Sequence, residues 1–263
     1  LSGLLGPVIG GGLCGAFGLR PILWVGVGCF FLSAVMELFI RIPHRPRAAG
    51  GVLPTLRRDW GESWRFIRRE RPVFLSATLV LALFNLVLSA ALVVGIPVAV
   101  VQVLGMSDRR LGLTQGAMGL GGLFGGVAAA FLGARLRLRR GGALLLAASL
   151  TAAGMGAALL PGVPALPGWW GVTAMSFAVM VLSTLLVVVL SAAAQGQTPP
   201  ELLGKVMAFI MAVSNCASPL GQAIYGALFE SFPAWAVLLG AAGAAALAAV
   251  YSRGVFRELD GGR

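Results

Sequence analysis

The placement of charge along the chain constrains its fold more than any other feature. Long runs without a charged residue alternate with short arginine clusters. A helix must present roughly 20 apolar residues to cross the hydrocarbon core of a bilayer. In lipid it must also satisfy every backbone amide and carbonyl within itself. Only 11% of the residues are charged, against ~25% in a soluble globular domain, and the deficit is concentrated in those runs. The pattern predicts an all-α, polytopic membrane helical bundle. The hydrophobicity excludes a disordered chain, and the lack of a Gly-X-Y period excludes a collagen-like one.

Reading the charge-free windows predicts eight transmembrane helices. They cover 1–18, 21–40, a third from residue 73, 111–134, 141–160, 169–195, 206–229 and 233–251. The third run stays uncharged until Asp108, too long for one straight crossing, so Pro97 is expected to kink or end it. Turns are expected from Pro161 through Gly168, at Thr198-Pro199-Pro200 and at Ser231-Phe232-Pro233. The chain opens at Leu1 in mid-helix, without a methionine or a signal-peptide n-region, which predicts that its front end is missing.

Charge counting orients the spans. One side carries the basic 41–72 segment, Arg135, Arg137, Arg139, Arg140, Lys205, Arg253, Arg257 and Arg263, seventeen cationic residues in all. The other carries Arg20, Arg109 and Arg110. The positive-inside rule places the first side, and both ends of the chain, in the cytoplasm. Trp24, Trp169, Trp170 and Trp235 fall near expected outer ends, where indole rings anchor at the headgroup level. The net charge of +11 is therefore read as topology and attraction to membrane lipids, with no nucleic-acid partner. Arginine far outnumbers lysine, which stands only at position 205, in a chain rich in Ala and Gly. That bias suggests a GC-rich bacterial genome and hence the inner (plasma) membrane.

Residues 55–71 differ from the rest. Leu56, Trp60, Trp64 and Ile67 recur at helical spacing among arginines, as in an amphipathic helix lying on the inner membrane surface. Glycines dominate the first span and the fourth, which carries Gly116, Gly119, Gly121, Gly122, Gly125 and Gly126, some of them three or four apart. Such spacing lets helix backbones approach closely in lipid. Residues 10–15 satisfy GxGxxG, but they lie inside a membrane span and not after a strand, so a dinucleotide site is rejected. Cys14, Cys29 and Cys216 form no metal or CxxC spacing and are expected to be small packing residues. No cofactor or metal is expected.

Intramembrane polar residues are the remaining pointers to function. Glu37 is the carboxylate well inside a span and the candidate for proton coupling, although Arg41, one turn later, is a possible ion-pair partner. Asn85, Ser89, Gln115, Asn215 and Gln222 are the candidate substrate-binding residues, with Ser183 and Thr184 further polar positions. Asn215 and Gln222 stand seven apart and share a helix face. Each of these side chains can equally serve a structural interhelical hydrogen bond. The lone His44 has no catalytic partner nearby, and no constellation of groups points to an enzyme.

Gly6-Pro7-Val8-Ile9-Gly10-Gly11 resembles the GPxxGG core of the antiporter motif in the fifth helix of the major facilitator superfamily. An earlier glycine of that motif is replaced by Ser2. The stretch from Pro200 to Val206, with Pro219-Leu220-Gly221 and Gly226, is similar to the eleventh helix of the branch containing macrolide-efflux and enterobactin-exporter proteins. The Asp-Arg-x-Gly-Arg-Arg pattern frequent in the eighth-to-ninth loop is not reproduced in 133–140. The resemblance implies that 1–41 form the last two helices of the N-terminal half and 42–72 a cytoplasmic linker. Residues 73–252 would form the six-helix C-terminal bundle and 253–263 a tail. It implies Gly6, Pro7, Gly10 and Gly11 as a conformational motif. It implies a small-molecule substrate, protons as coupling ion, alternating access, and a monomer at full length. Proton-coupled efflux of an amphipathic compound (a drug, macrolide or siderophore) is the specific expectation. The alternatives are a sugar or metabolite uptake carrier of the same fold, and a membrane enzyme or scaffold without transport activity.

Overall fold

The computed structural model describes residues 19–39, 52–70, 72–132, 141–252 and 254. Among them the chain is helical throughout, without a strand. Helix α1 spans Leu19–Leu38. Helix α2 spans Val52–Arg65 and widens into a π turn, Phe66–Glu70. Helix α3 (Pro72–Phe84) passes through a second π turn (Asn85–Ser89) into α4 (Ala90–Pro97) and a terminal π stretch (Val98–Val103). Then follow α5 (Asp108–Leu132), α6 (Gly141–Ala157), α7 (Ala165–Gly196), α8 (Pro200–Ser231) and α9 (Ala234–Tyr251).

Prolines set four of the helix starts. A fixed φ and a missing N–H cost nothing in the first turn, where the donor has no intrahelical partner. Pro72 and Pro200 open α3 and α8, while Pro164 and Pro233 stand immediately before α7 and α9. Gly162 turns the chain with φ +97°, a conformation that side-chain-bearing residues rarely adopt. The expected turns at 198–200 and 231–233 are present, whereas α7 begins earlier than expected, at Ala165. Pro167 does not delay it, because that residue sits in the first turn.

Pro97 neither ends nor breaks the third span. The helical path runs on to Val103, and the bonding pattern loosens instead, with Leu104 N–H donating to the Ala99 carbonyl at 3.0 Å. That i→i−5 pattern is a widened turn, one way a helix absorbs a lost donor and a ring clash.

Among the described residues, four helices are long and apolar enough to cross a membrane: Phe74–Val103, Ala165–Gly196, Leu202–Ser231 and Ala234–Tyr251. Leu23–Leu38 and Gly141–Ala157 are apolar but shorter. Helix α5 has the length, but its glycines and the Asp108-Arg109-Arg110 start dilute its apolar character. The expected first span and the Arg135–Arg140 loop lie outside the described residues.

The helices associate as two arms on a shared spine. Helix α5 packs along α7, the third span packs along α8, and α6 and α9 lie together behind them. The α5–α7 contact is a glycine seam: a Cβ on Gly121 would lie 3.0 Å from Met180 Cβ, and one on Gly125 would lie 2.9 Å from Thr184 Cβ. Glycines are thus in contact as expected, with Gly121 and Gly125 making the seam and Gly126 facing open space. Beside the start of α3, Phe74, Leu190 and Ile210 help enclose an apolar pocket of about 30 Å³, room for about one water and not for a substrate.

Candidate functional site

Asn85 and Ser89 lie on the third span where Gly221 of α8 crosses it, and Asn215 and Gln222 lie on α8 on either side of Pro219. Asn85 and Ser89 are the first and last residues of the π turn. The half-buried Asn85 donates from Nδ2 to the Leu81 carbonyl at 3.2 Å. A second donor thus reaches that carbonyl where the ladder changes from i→i−4 to i→i−5 bonding, with Ala90 N–H reaching back to Asn85. Gly221 of α8 presses directly on this turn: a Cβ there would sit 2.6 Å from Ala90 Cβ and against the Leu86 carbonyl. Only a residue without a side chain permits that approach.

Gln222, the next residue, donates from Nε2 to Ser218 Oγ at 3.0 Å. Asn215 lies two turns earlier on the same helix face and is exposed. Pro219 stands four residues after it and has no N–H to give, so the Asn215 main-chain carbonyl loses its usual helical donor. Asn215 therefore offers a side-chain amide and a carbonyl short of a partner at one point. Beside it the buried Ser214 hydroxyl has no hydrogen-bond partner among the described residues, and neither has that of Ser183 on α7. Orphaned groups in an apolar surround cost free energy until a ligand or water meets them. This α8 face can supply donors and acceptors but no charge.

Not every expected residue joins this belt. Gln115 lies half-buried on α5, in the other arm. Glu37 is exposed on α1, a helix exposed along almost its whole length, and its suggested partner Arg41 lies outside the described residues. Gly6, Pro7, Gly10 and Gly11 also lie outside them. Cys29 and Cys216 are free and exposed and do not pack within the bundle as expected.

Two polar groupings had no counterpart in the sequence reading. Thr114 Oγ1 and Thr173 Oγ1 are 2.9 Å apart, and Trp169 Nε1 donates to Thr114 Oγ1 at 3.1 Å. The Arg110 guanidinium lies 5.3 Å from the Trp169 ring centroid. Trp169 is therefore a buried link between α5 and α7, 6% exposed, while Trp170 is 60% exposed. At the opposite end α2 leans on α8. Trp60 and Trp64 meet Phe209 at centroid distances of 4.9 and 6.1 Å, and Lys205 Nζ pairs with Glu62 at 2.5 Å. The amphipathic helix foreseen at 55–71 is present, with its aromatic side on protein and not on lipid alone. Tryptophans spaced four apart signalled the helix, but nothing in the spacing signalled Phe209 as their partner.

Comparison with known proteins places this arrangement. The chain is 27% identical to the uncharacterized MFS-type transporter YfiS of Bacillus subtilis (strain 168), over 87% of its own length and 54% of the relative's. It thus spans about half the length of the curated relative it matches. No solved structure matches it. Residues 1–221 match the family model of the Major Facilitator Superfamily. With four helices long and apolar enough to span a bilayer, the chain is an integral membrane protein that belongs to the Major Facilitator Superfamily.

Proposed function

We propose that this chain is the part of a secondary transporter running from its fifth helix onward, and that it works by alternating access. In this reading 1–41 close the first half, 42–72 link the halves and 73–252 form the second half, with both ends in the cytoplasm of a bacterial cell. The observation that carries the reading is the crossing of α8 over the π turn Asn85–Ser89. A widened turn, a proline-freed carbonyl and a set of uncharged polar side chains coincide at mid-depth in otherwise apolar helices. Transporters place substrate sites at that depth, on helices whose regular bonding is interrupted. Asn85, Ser89, Asn215 and Gln222 would contact the substrate, and Gln115 would do so from the other arm.

The belt has few hydrogen-bonding groups and no charge, which favours an amphipathic compound over a sugar that needs many polar contacts. Export driven by protons, with Glu37 as one coupling carboxylate, is the specific form we infer. The test is transport by the full-length polypeptide in proteoliposomes with an imposed proton gradient, using a lipophilic cationic dye and a macrolide. Uphill movement abolished by a protonophore, and weakened about tenfold or more by Asn85→Ala or Asn215→Ala, is the expected result. Glu37→Gln should abolish uphill movement while leaving downhill movement. If neither compound moves through correctly oriented, folded protein, the drug-export reading is wrong.

A further inference from the structure

A second binding feature lies away from the mid-depth belt. Where α2 widens into its π turn, Gly61, Trp64, Arg65, Arg68 and Arg69 line an open-mouthed cavity of about 600 Å³, within the size range of small-molecule sites. Arg65, Arg68 and Arg69 follow one another at i, i+3 and i+4, so they leave the helix on one side, and all three are exposed. The Arg68 guanidinium sits 6.0 Å from the centre of the Trp64 ring. Stacking of that kind fixes the guanidinium plane and leaves its N–H groups free to point outward. A Cβ on Gly61 would meet nothing within 4 Å, so the floor stays open.

Among the described residues, no acidic side chain lines this cavity. The nearby Glu62 is held by Lys205 Nζ at 2.5 Å and Arg58 Nε at 3.6 Å. Three guanidinium groups therefore face one space without a counter-charge among its described lining residues. Their planar pairs of N–H donors match phosphate oxygens in geometry and sign.

We propose that this cavity binds the phosphate of an anionic phospholipid in the leaflet against which α2 lies. The depth of the cavity favours lipid over a soluble anion. Phe66 and Ile67 are buried in the bundle, and the half-exposed rings of Trp60 and Trp64 rest on Phe209 near the end of α8. Indole rings in such a position mark the headgroup level of a bilayer, and the cavity opens there, where lipid phosphates are concentrated. A bound lipid adds to the Lys205–Glu62 pair in holding α2 on the bundle. The inference is independent of what the mid-depth belt carries or in which direction.

Native mass spectrometry of the protein extracted from mixed phosphatidylcholine and phosphatidylglycerol vesicles tests it. One phosphatidylglycerol per chain should be retained in preference to phosphatidylcholine. The triple variant R65Q/R68Q/R69Q should lower that retention about tenfold or more. R57Q/R58Q removes charge from the same helix outside the cavity and should change it by less than about twofold. Arg68→Lys keeps the charge without the stacked planar fork and should fall between. Excess inorganic phosphate should leave the lipid in place. Absence of a phosphatidylglycerol preference overturns the proposal, as does equal loss in R57Q/R58Q. Displacement by inorganic phosphate assigns the cavity to a soluble anion instead. Intrinsic tryptophan fluorescence melting checks that each variant is folded, and if the triple variant is not, Arg65→Gln alone and Arg68→Lys carry the comparison.

Discussion

Replacing Gly221 by alanine tests whether α8 and the third span meet at main-chain distance. The new Cβ would lie 2.6 Å from Ala90 Cβ and press on the Leu86 carbonyl. Carbon atoms attract best at about 3.5–4.0 Å, so the helices must part by about 1 Å in the middle of the bundle. Neither neighbour can yield alone, since one is backbone and the other is a methyl group fixed to it. Overpacking of this sort costs about 1–3 kcal/mol, and for a chain of this length each kcal/mol lowers the unfolding midpoint by about 2–4 °C. A fall of about 2–10 °C is therefore expected in tryptophan-fluorescence melting of the detergent-purified protein. Two companions sharpen the result. A90G/G221A removes one clash but not the one with Leu86, and should recover part of the loss. Gly240→Ala adds a Cβ at an exposed α9 position with nothing within 4 Å, where alanine is the better helix former by about 1 kcal/mol, and should melt no lower than the parent. If Gly221→Ala melts with the parent while Gly240→Ala behaves as stated, the close crossing is absent from the folded protein and the mid-depth site loses its frame.

Other contacts yield equally direct expectations. Thr114→Val keeps the volume but strands the Trp169 N–H and the Thr173 hydroxyl, so melting should show a loss of about 1–3 kcal/mol, largely restored in Thr114→Ser. Phe209→Ala removes the surface on which Trp60 and Trp64 rest, each ring contact worth about 0.5–1.5 kcal/mol. Tryptic cleavage after Arg57 or Arg58 should quicken several-fold, and an unchanged rate would mean that α2 is not held there. In a C14S/C29S background, Cys216 beside Asn215 should react with a membrane-impermeant thiol reagent, and a transported compound should slow that reaction. Reaction with lipophilic reagents alone would turn this face of α8 toward lipid and remove Asn215 from the site.

The all-helical architecture was legible because charge placement is a one-dimensional signal: a run of apolar residues bounded by arginines means the same thing wherever its neighbours lie. Helix starts at prolines were legible for the same reason, since the cost of a missing N–H depends only on position within the turn. Asn85, Ser89 and Gln222 could be picked out as polar residues in apolar runs, but that they lie at one crossing could not. Their meeting depends on Gly221 reaching the Leu86 carbonyl, a contact between segments more than a hundred residues apart. The freed carbonyl of Asn215 is encoded in the four-residue spacing to Pro219, a main-chain signal that a pattern of polar side chains does not carry. Pro97 shows the opposite failure. The residue itself was noticed, but whether a helix ends or widens at a proline is decided by the packing around it. Trp169 misled in a similar way, since an indole suits a headgroup region and a buried Thr114 acceptor equally well.

Because α8 meets the third span at Gly221 through glycine and peptide backbone, that joint is indifferent to which side chains occupy positions 85, 89, 215 and 222. Residues at those positions can be exchanged during evolution or in the laboratory without altering how the two helices bear on one another. Side-chain identity and helix contact can then be separated within one chain: libraries randomised at Asn85, Ser89, Asn215 and Gln222 should yield folded proteins, whereas changes at Gly221 should yield destabilised ones.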